Sequence, residues 1–270
     1  MTTDSAPRDA AWLWRQVRTD AVALSGSEPN LASFFHASLL SHASLASALA
    51  FLLANKLGDR DVPPMLLRQV CDDAFGAEPA MAEAAAADCL AHYDRDPACH
   101  YYAMPVLYFK GFHAVQAYRV AHWLWHRQRR SLALFLQNRI ATVFDVDIHP
   151  AARIGAGLMV DHATGLVIGE TAVVGANVSM LHGVSLGGCG TGPGARHPQV
   201  GDGVLISAGA KLLGPISIGA GAKIAAGSVV LESVESQMTV AGVPARLVVR
   251  GEHKALALQM DQWLGDPNCR

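Results

Sequence analysis

One spacing limits this chain more than any other feature: through its second half, aliphatic residues recur every six positions. Val200, Ile206, Leu212, Ile218, Ile224 and Val230 form an unbroken series, and four residues beyond each stand Val204, Ala210, Ile216, Ala222, Ser228 and Val234. An earlier series runs Ile148, Ile154, Val160 and then Ile168, Val174, Met180, Leu186. A short strand and a turn per hexad send one aliphatic side chain inward with a small one beside it, and leave glycine or asparagine at the corner. Three hexads close a triangular coil. One hexad cannot bury its apolar side, whereas stacked coils share a continuous core, so the repeat predicts a parallel β-helix. Gly203, Gly209, Gly221 and Gly227 hold one corner position, where the missing β-carbon relaxes the limits on φ.

The series breaks between Leu186 and Val200, where fourteen residues replace six. The surplus must leave the coil as a loop, and it contains Gly187-Gly188-Cys189-Gly190-Thr191-Gly192-Pro193-Gly194-Ala195-Arg196-His197-Pro198. A polar-tipped loop on a rigid scaffold is a common carrier of function.

Before residue 146 glycine is sparse and the pattern is helical. Leu31, Phe34, Phe35, Ser38 and Leu39 fall on one face of a 3.6-residue period. Met81 to Ala91 is alanine-rich, and Gly111 to Leu136 carries a Trp and Leu stripe interleaved with Arg127, Arg129 and Arg130, which read as a solvated face, with phosphate binding as the alternative. The expected fold class is α+β: a helical domain over 1–145, a solenoid domain over 146–250 and a tail over 251–270.

Composition excludes several classes. With 51% hydrophobic and 16% charged residues among 270, the chain can bury a real core. A formal net charge of −2 supplies no basic field for nucleic acid or anionic membrane. Met1 to Ala10 lacks a charged start followed by an apolar stretch, so no secretory signal is read and a cytoplasmic location is expected. The apolar run Ala46 to Ala54 is too short for a membrane span of about 20 residues and reads as a buried helix. Cys71, Cys89, Cys99, Cys189 and Cys269 form an odd set with no CxxC, which points to reduced thiols.

Several runs resemble the serine acetyltransferases among the hexapeptide-repeat acyltransferases. They are Leu31 to Leu40 continued by Leu52 to Leu57, Asp96-Pro97, Tyr108 to Ala114, Asp145 to Pro150, Asp161-His162-Ala163-Thr164-Gly165, Arg196-His197-Pro198 and Ala241 to Arg246. The resemblance implies a left-handed coil, trimers formed through the solenoid with active sites between adjacent subunits, and two trimers joined by their helical domains. It implies transfer of acetyl from acetyl-CoA to the L-serine hydroxyl, with acetyl-CoA as co-substrate and no metal.

Acetyl transfer to an alcohol needs a base that titrates near working pH, which suits histidine. His162 matches the family's catalytic histidine and Asp147 the carboxylate that pairs with it. Their fifteen-residue separation places them three residues out of register in an eighteen-residue coil, across one corner. By the same matching, Asp96 and Asp161 hold the serine ammonium, Arg196 faces its carboxylate through a planar fork, and His197 is a second histidine supplied across the subunit boundary. Gly188, Ala208 and Lys223 are the candidates for acetyl-CoA, the last facing a phosphate or standing as a solvated corner. Direct attack needs no acyl-enzyme; a covalent route would run through Cys189, where the family usually has threonine.

Other departures are Ala195 and Gln199, where the family commonly has aspartate and lysine; these bear on loop anchoring. Many relatives end in an isoleucine that enters the active site of O-acetylserine sulfhydrylase, whereas this chain stops at Asn268-Cys269-Arg270, which counts against that complex. Matched serine-binding residues make L-cysteine an expected feedback inhibitor. Homoserine or O-phosphoserine are alternative acceptors. Twelve histidines leave room for a trimeric zinc carbonic anhydrase, and a non-catalytic trimeric scaffold is the remaining rival.

Overall fold

A computed structural model describes residues 7–192, 194–250 and 256–262. The helical part holds α1 (Ala10–Ser27), α2 (Ala32–Phe35), α3 (Leu45–Leu57), α4 (Pro64–Ala77), α5 (Ala80–Arg95), α6 (Ala103–Tyr108), α7 (Lys110–His126) and α8 (Arg130–Phe144). Asp9 caps α1 by accepting from the Trp12 amide at 2.7 Å, and Ser44 does the same for α3 through Ser47. The helix expected around Leu31 to Leu39 breaks into a 3-10 turn, α2 and a π-type turn. Phe35, Ser38 and Leu39 are buried while Leu31 and Phe34 stay exposed, because each change of helical pitch rotates the face. The stripe from Gly111 to Leu136 is two helices, α7 and α8, separated where Gln128 takes a left-handed φ of 60°. Arg127 and Arg130 at that break are exposed and lie over the rings of Trp123 and Trp125.

After α8 ends at Phe144, strands of two or three residues wind into a parallel β-helix. The chain passes in turn through β1 (Val146–Ile148), β2 (Arg153–Ile154), β3 (Met159–Val160), β4 (Leu166–Ile168), β5 (Val173–Val174), β6 (Ser179–Met180), β7 (Ser185–Gly187), β8 (Gln199–Val200), β9 (Leu205–Ile206), β10 (Lys211–Leu213), β11 (Ser217–Ile218), β12 (Lys223–Ile224) and β13 (Val229–Val230). Sheet A is β1-β4-β7-β10-β13, and β2, β5, β8 and β11 form sheet B. Sheet C stacks β3, β6, β9 and β12, then β14 (Met238–Gly242) and the antiparallel β15 (Ala245–Arg250).

The six-residue series becomes three vertical stacks. Ile148, Ile168, Leu186, Leu212 and Val230 pair in sheet A; Ile154, Val174, Val200 and Ile218 in sheet B; Val160, Met180, Ile206 and Ile224 in sheet C. All but the half-buried Ile154 are buried. Each buried aliphatic contributes about 2 kcal/mol, which outweighs what such short ladders supply alone.

Asp88 joins the two parts. Fully buried on α5, it accepts from Leu158 N in the first coil at 2.8 Å, and from Gln116 and Arg119 of α7 at 2.9 and 2.7 Å. A buried carboxylate this well partnered holds the helical domain to the solenoid, and removing one partner would strand a charge.

The run Ala46 to Ala54 lies in α3, mostly buried, and no single helix among the described residues is long and apolar enough to cross a membrane. Cys71, Cys89 and Cys99 are buried free thiols and Cys189 an exposed one. Burial pushes the Cys71 and Cys99 thiols up to about 12. Cys269 and the chain end at Asn268-Cys269-Arg270 lie outside the described residues, as do Met1 to Ala6 and Pro193 in the loop.

Candidate active site

Within a coil, sheets A, B and C meet at three corners, and the candidate residues divide among them. At the corner from C to A, later coils move between inward residues in six steps, from Met180 to Leu186 for example, but the first coil takes eight, from Val160 to Ile168. The surplus forces a projecting turn. In it His162 and Ala163 are both left-handed, at φ 57° and 63°, a conformation that costs non-glycine residues about 1–3 kcal/mol each. Close backbone bonds stabilise it: Ala163 N to Asp161 O at 2.6 Å and Thr164 N to His162 O at 2.8 Å. The turn buries the Ala163 methyl completely and presents the imidazole of His162 to solvent, 71% exposed.

Helical residues close around this turn. Asp96 caps α5 in an extended conformation, its Oδ1 accepting from Ala98 N at 2.8 Å. At the start of α7, Lys110 Nζ donates to Thr164 Oγ1 at 2.6 Å. Gly111 lies so close to Val160 O that a β-carbon there would overlap it. Asp96, Asp161 and His162 thereby share one cavity of about 410 Å³, with Met104, Tyr108 and Lys110 in its walls. The nearest carboxylate to the His162 ring is that of Asp161, Oδ2 to Nε2 at 3.6 Å, and the ring of His182 packs edge-on at 5.7 Å. Asp147, the expected partner, instead accepts from Gln137 Nε2 of α8 at 2.7 Å, and the ion pair that His162 makes among the described residues is with Asp161.

The A-to-B corner gathers a second group. His197 is buried, with Nδ1 at 2.8 Å from the Thr171 hydroxyl. Burial lowers its pKa from the usual histidine value, and the Arg196 charge adds to this. Its ring occupies the space beside Gly169 and Gly188; a β-carbon on Gly188 would come within 2.8 Å of Nε2. Arg196 pairs with Glu170, a partner the sequence reading did not name. The loop is anchored here despite its departures. Gln199 Nε2 donates to Thr171 O at 3.0 Å and His197 O at 3.1 Å, and Cys189 N bonds to Arg196 O at 3.0 Å. Ala195 adds no side-chain hydrogen bond and stays exposed.

Ala208 stands apart from Gly188, on the same edge as His162. Gly183 N donates to Thr164 O, Gly209 N to His182 O and Gly227 N to Ala208 O, at 2.7, 2.9 and 2.8 Å, so Thr164, His182 and Ala208 climb that edge coil by coil. His182 was missed, though it occupies the place two residues beyond Met180 that His162 occupies beyond Val160. Lys223 is not the solvated corner that was one of its two expected readings. It is 2% exposed, and its ammonium lies 3.8 Å from Asp261, under the tail helix α9 (Leu256–Gln259), which is also tied down by Ser179 Oγ to Ala257 O at 2.9 Å.

The chain as a whole is similar to known proteins along most of its length. Residues 13–117 match a family described as serine acetyltransferase, N-terminal, and residues 197–232 match the bacterial transferase hexapeptide (six repeats) family. The serine acetyltransferase of Escherichia coli strain K12 is 52% identical over 250 residues, 93% of this chain and 92% of the relative. A serine acetyltransferase in complex with cysteine superposes with a TM-score of 0.93 at 50% identity, covering 94% of this chain and 99% of the other. The Neisseria gonorrhoeae enzyme in complex with serine gives 0.85 at 52%, covering 87% and 96%. A serine acetyltransferase in complex with CoA gives 0.86 at 51%, covering 88% and 100%.

Proposed function

The chain belongs to the serine acetyltransferase family, and from that premise we propose that its hexapeptide coil is left-handed and that His162 is the general base for direct acetyl transfer from acetyl-CoA to the L-serine hydroxyl. The observation that carries this reading is the convergence of His162, Asp161 and Asp96 on one cavity. A neutral imidazole takes the hydroxyl proton as the serine oxygen bonds to the thioester carbonyl carbon. The tetrahedral intermediate then expels the CoA sulfur, which takes the same proton back from the imidazolium. Protons balance, and the step uses neither metal nor acyl-enzyme.

Asp161 and Asp96 supply carboxylates for the substrate ammonium. Arg196 and His197, at another corner, reach the same site from an adjacent subunit of a trimer, with Arg196 exchanging Glu170 for the substrate carboxylate. Asp147 orients the His162 ring on closure in that assembly, where it leaves Gln137. Acetyl-CoA lies along the edge marked by His182 and Ala208, between solenoids, with Gly188 beside His197 on the neighbour's wall. Two trimers associate through their helical domains.

L-cysteine, held by the relative solved with it, competes at the serine site here; a cysteine titration leaving activity unchanged would reject this. A reducing, cytoplasmic setting fits the free thiols of Cys71, Cys89 and Cys99. The deciding experiment measures CoA release with serine, homoserine and O-phosphoserine, in the parent and in His162→Ala. Serine preferred, and its turnover lost in the variant, is the expected result; equal turnover in both sinks the mechanism.

A further inference from the structure

The His162 ring is mostly exposed, so its aim depends on the backbone of the turn that carries it. That turn is gripped from two sides. From the solenoid, Gly183 N donates to Thr164 O at 2.7 Å, while at the end of α8 Asp145 O accepts from Gly165 N at 2.8 Å. From the helical domain, the first two residues of α7 touch both of its ends: Gly111 abuts Val160 O, and Lys110 Nζ holds Thr164 Oγ1 at 2.6 Å. Thr164 is the point where the two grips meet, its carbonyl held by the next coil and its hydroxyl by α7. Two successive left-handed residues without glycine form a turn that relaxes readily once such a restraint is lost.

We propose that Lys110 is a positioning residue for His162, acting through the Thr164 hydroxyl, so that the helical domain sets the aim of the base as well as bounding the cavity. The proposal rests on the reading of His162 as base. Lys110 also lines the cavity and keeps two further N–H donors beside the one given to Thr164, so the kinetic split between KM and kcat separates positioning from substrate contact.

The test compares Lys110→Met, Thr164→Val and the double variant by steady-state kinetics, with Lys110→Arg, Thr164→Ser and His162→Ala in parallel. Each single change is expected to lower kcat roughly tenfold or more, as a small misplacement of a reacting group does, with the KM for serine nearly unchanged. The double variant should lose no more than the worse single one, and Lys110→Arg and Thr164→Ser should recover most of the rate. Parental kcat in Thr164→Val, a raised KM at unchanged kcat in Lys110→Met, or multiplied losses in the double variant would overturn it. Thr164 is exposed and tolerates valine, so Thr164→Val decides the matter if Lys110→Met does not fold. An inactive His162→Ala beside fully active Lys110 and Thr164 variants removes the positioning role alone; an active His162→Ala removes the base assignment beneath it.

Discussion

His197 points its Nδ1 at the Thr171 hydroxyl on the A-to-B corner of the coil, while His162 projects from the C-to-A corner. One chain therefore keeps its two candidate histidines on separate edges. If both serve one site, each site takes one from each of two chains. Mixing inactive His162→Ala subunits with inactive His197→Ala subunits before assembly should restore about a quarter of parental activity, the chance in a random trimer that neighbours supply the two intact residues. No recovery after confirmed subunit exchange would place the whole site within one chain.

The carboxylates near His162 should separate by kinetic effect. Asp161→Asn and Asp96→Asn are expected to raise the KM for serine at least tenfold through loss of ammonium pairing, with a smaller change in kcat. Asp147→Asn should act on kcat instead, because its task is to fix the imidazole. A KM effect from Asp147→Asn with no change in kcat would detach it from the base.

Cys189 tests the covalent route. It is an exposed thiol whose backbone closes the loop through Arg196 O at 3.0 Å, and Cys189→Ser preserves that bond. Turnover is expected to stay within about twofold of the parent. Loss of activity with trapped acetyl on the parent's thiol would replace direct attack by a two-step path.

Acid should weaken the helical domain through two buried histidines. Desolvation lowers His92 to about 3 and His113 to about 4, against about 6.5 when unfolded. His113 Nε2–H donates to Val106 O at 2.7 Å, and His92 packs edge-on to Phe109 and Phe112. Both are neutral when folded. Below pH ~6.5 the unfolded chain binds their protons first, so stability is intact above that pH and falls as pH drops toward 4 and then 3, by on the order of a few kcal/mol. Urea midpoints measured from pH 7.5 to 4.5 should show this fall, and it should be shallower in His92→Phe. An equal slope in both would assign it to other groups.

What the sequence made legible follows from how each feature is encoded. The stacks were readable because burial recurs at fixed intervals: Leu186 and Leu212 pair in register across the inserted loop. His162, Asp161 and Asp96 came from matching motifs, and their shared cavity depends on α5 and α7 meeting the first coil, which no periodicity expresses. The pairing of Arg196 with Glu170 joins residues twenty-six apart through side-chain conformation. The burial of Lys223 beside Asp261 is invisible in the repeat, where a lysine at a corner looks solvated until residues beyond the coil reach it. Leu31 and Phe34 were misplaced because an even 3.6 period cannot register a change of pitch.

The reversal of direction at β15 reaches beyond this molecule. A solenoid whose last rung stayed open would offer backbone donors and acceptors to the first rung of another copy, and identical coils could add end to end without limit. Here α8 leads directly into the first rung, and β14, the last parallel strand of sheet C, is met by β15 running the wrong way to be a further coil. End-to-end growth through that sheet is then blocked, and the number of coils stays a property of the gene instead of the concentration.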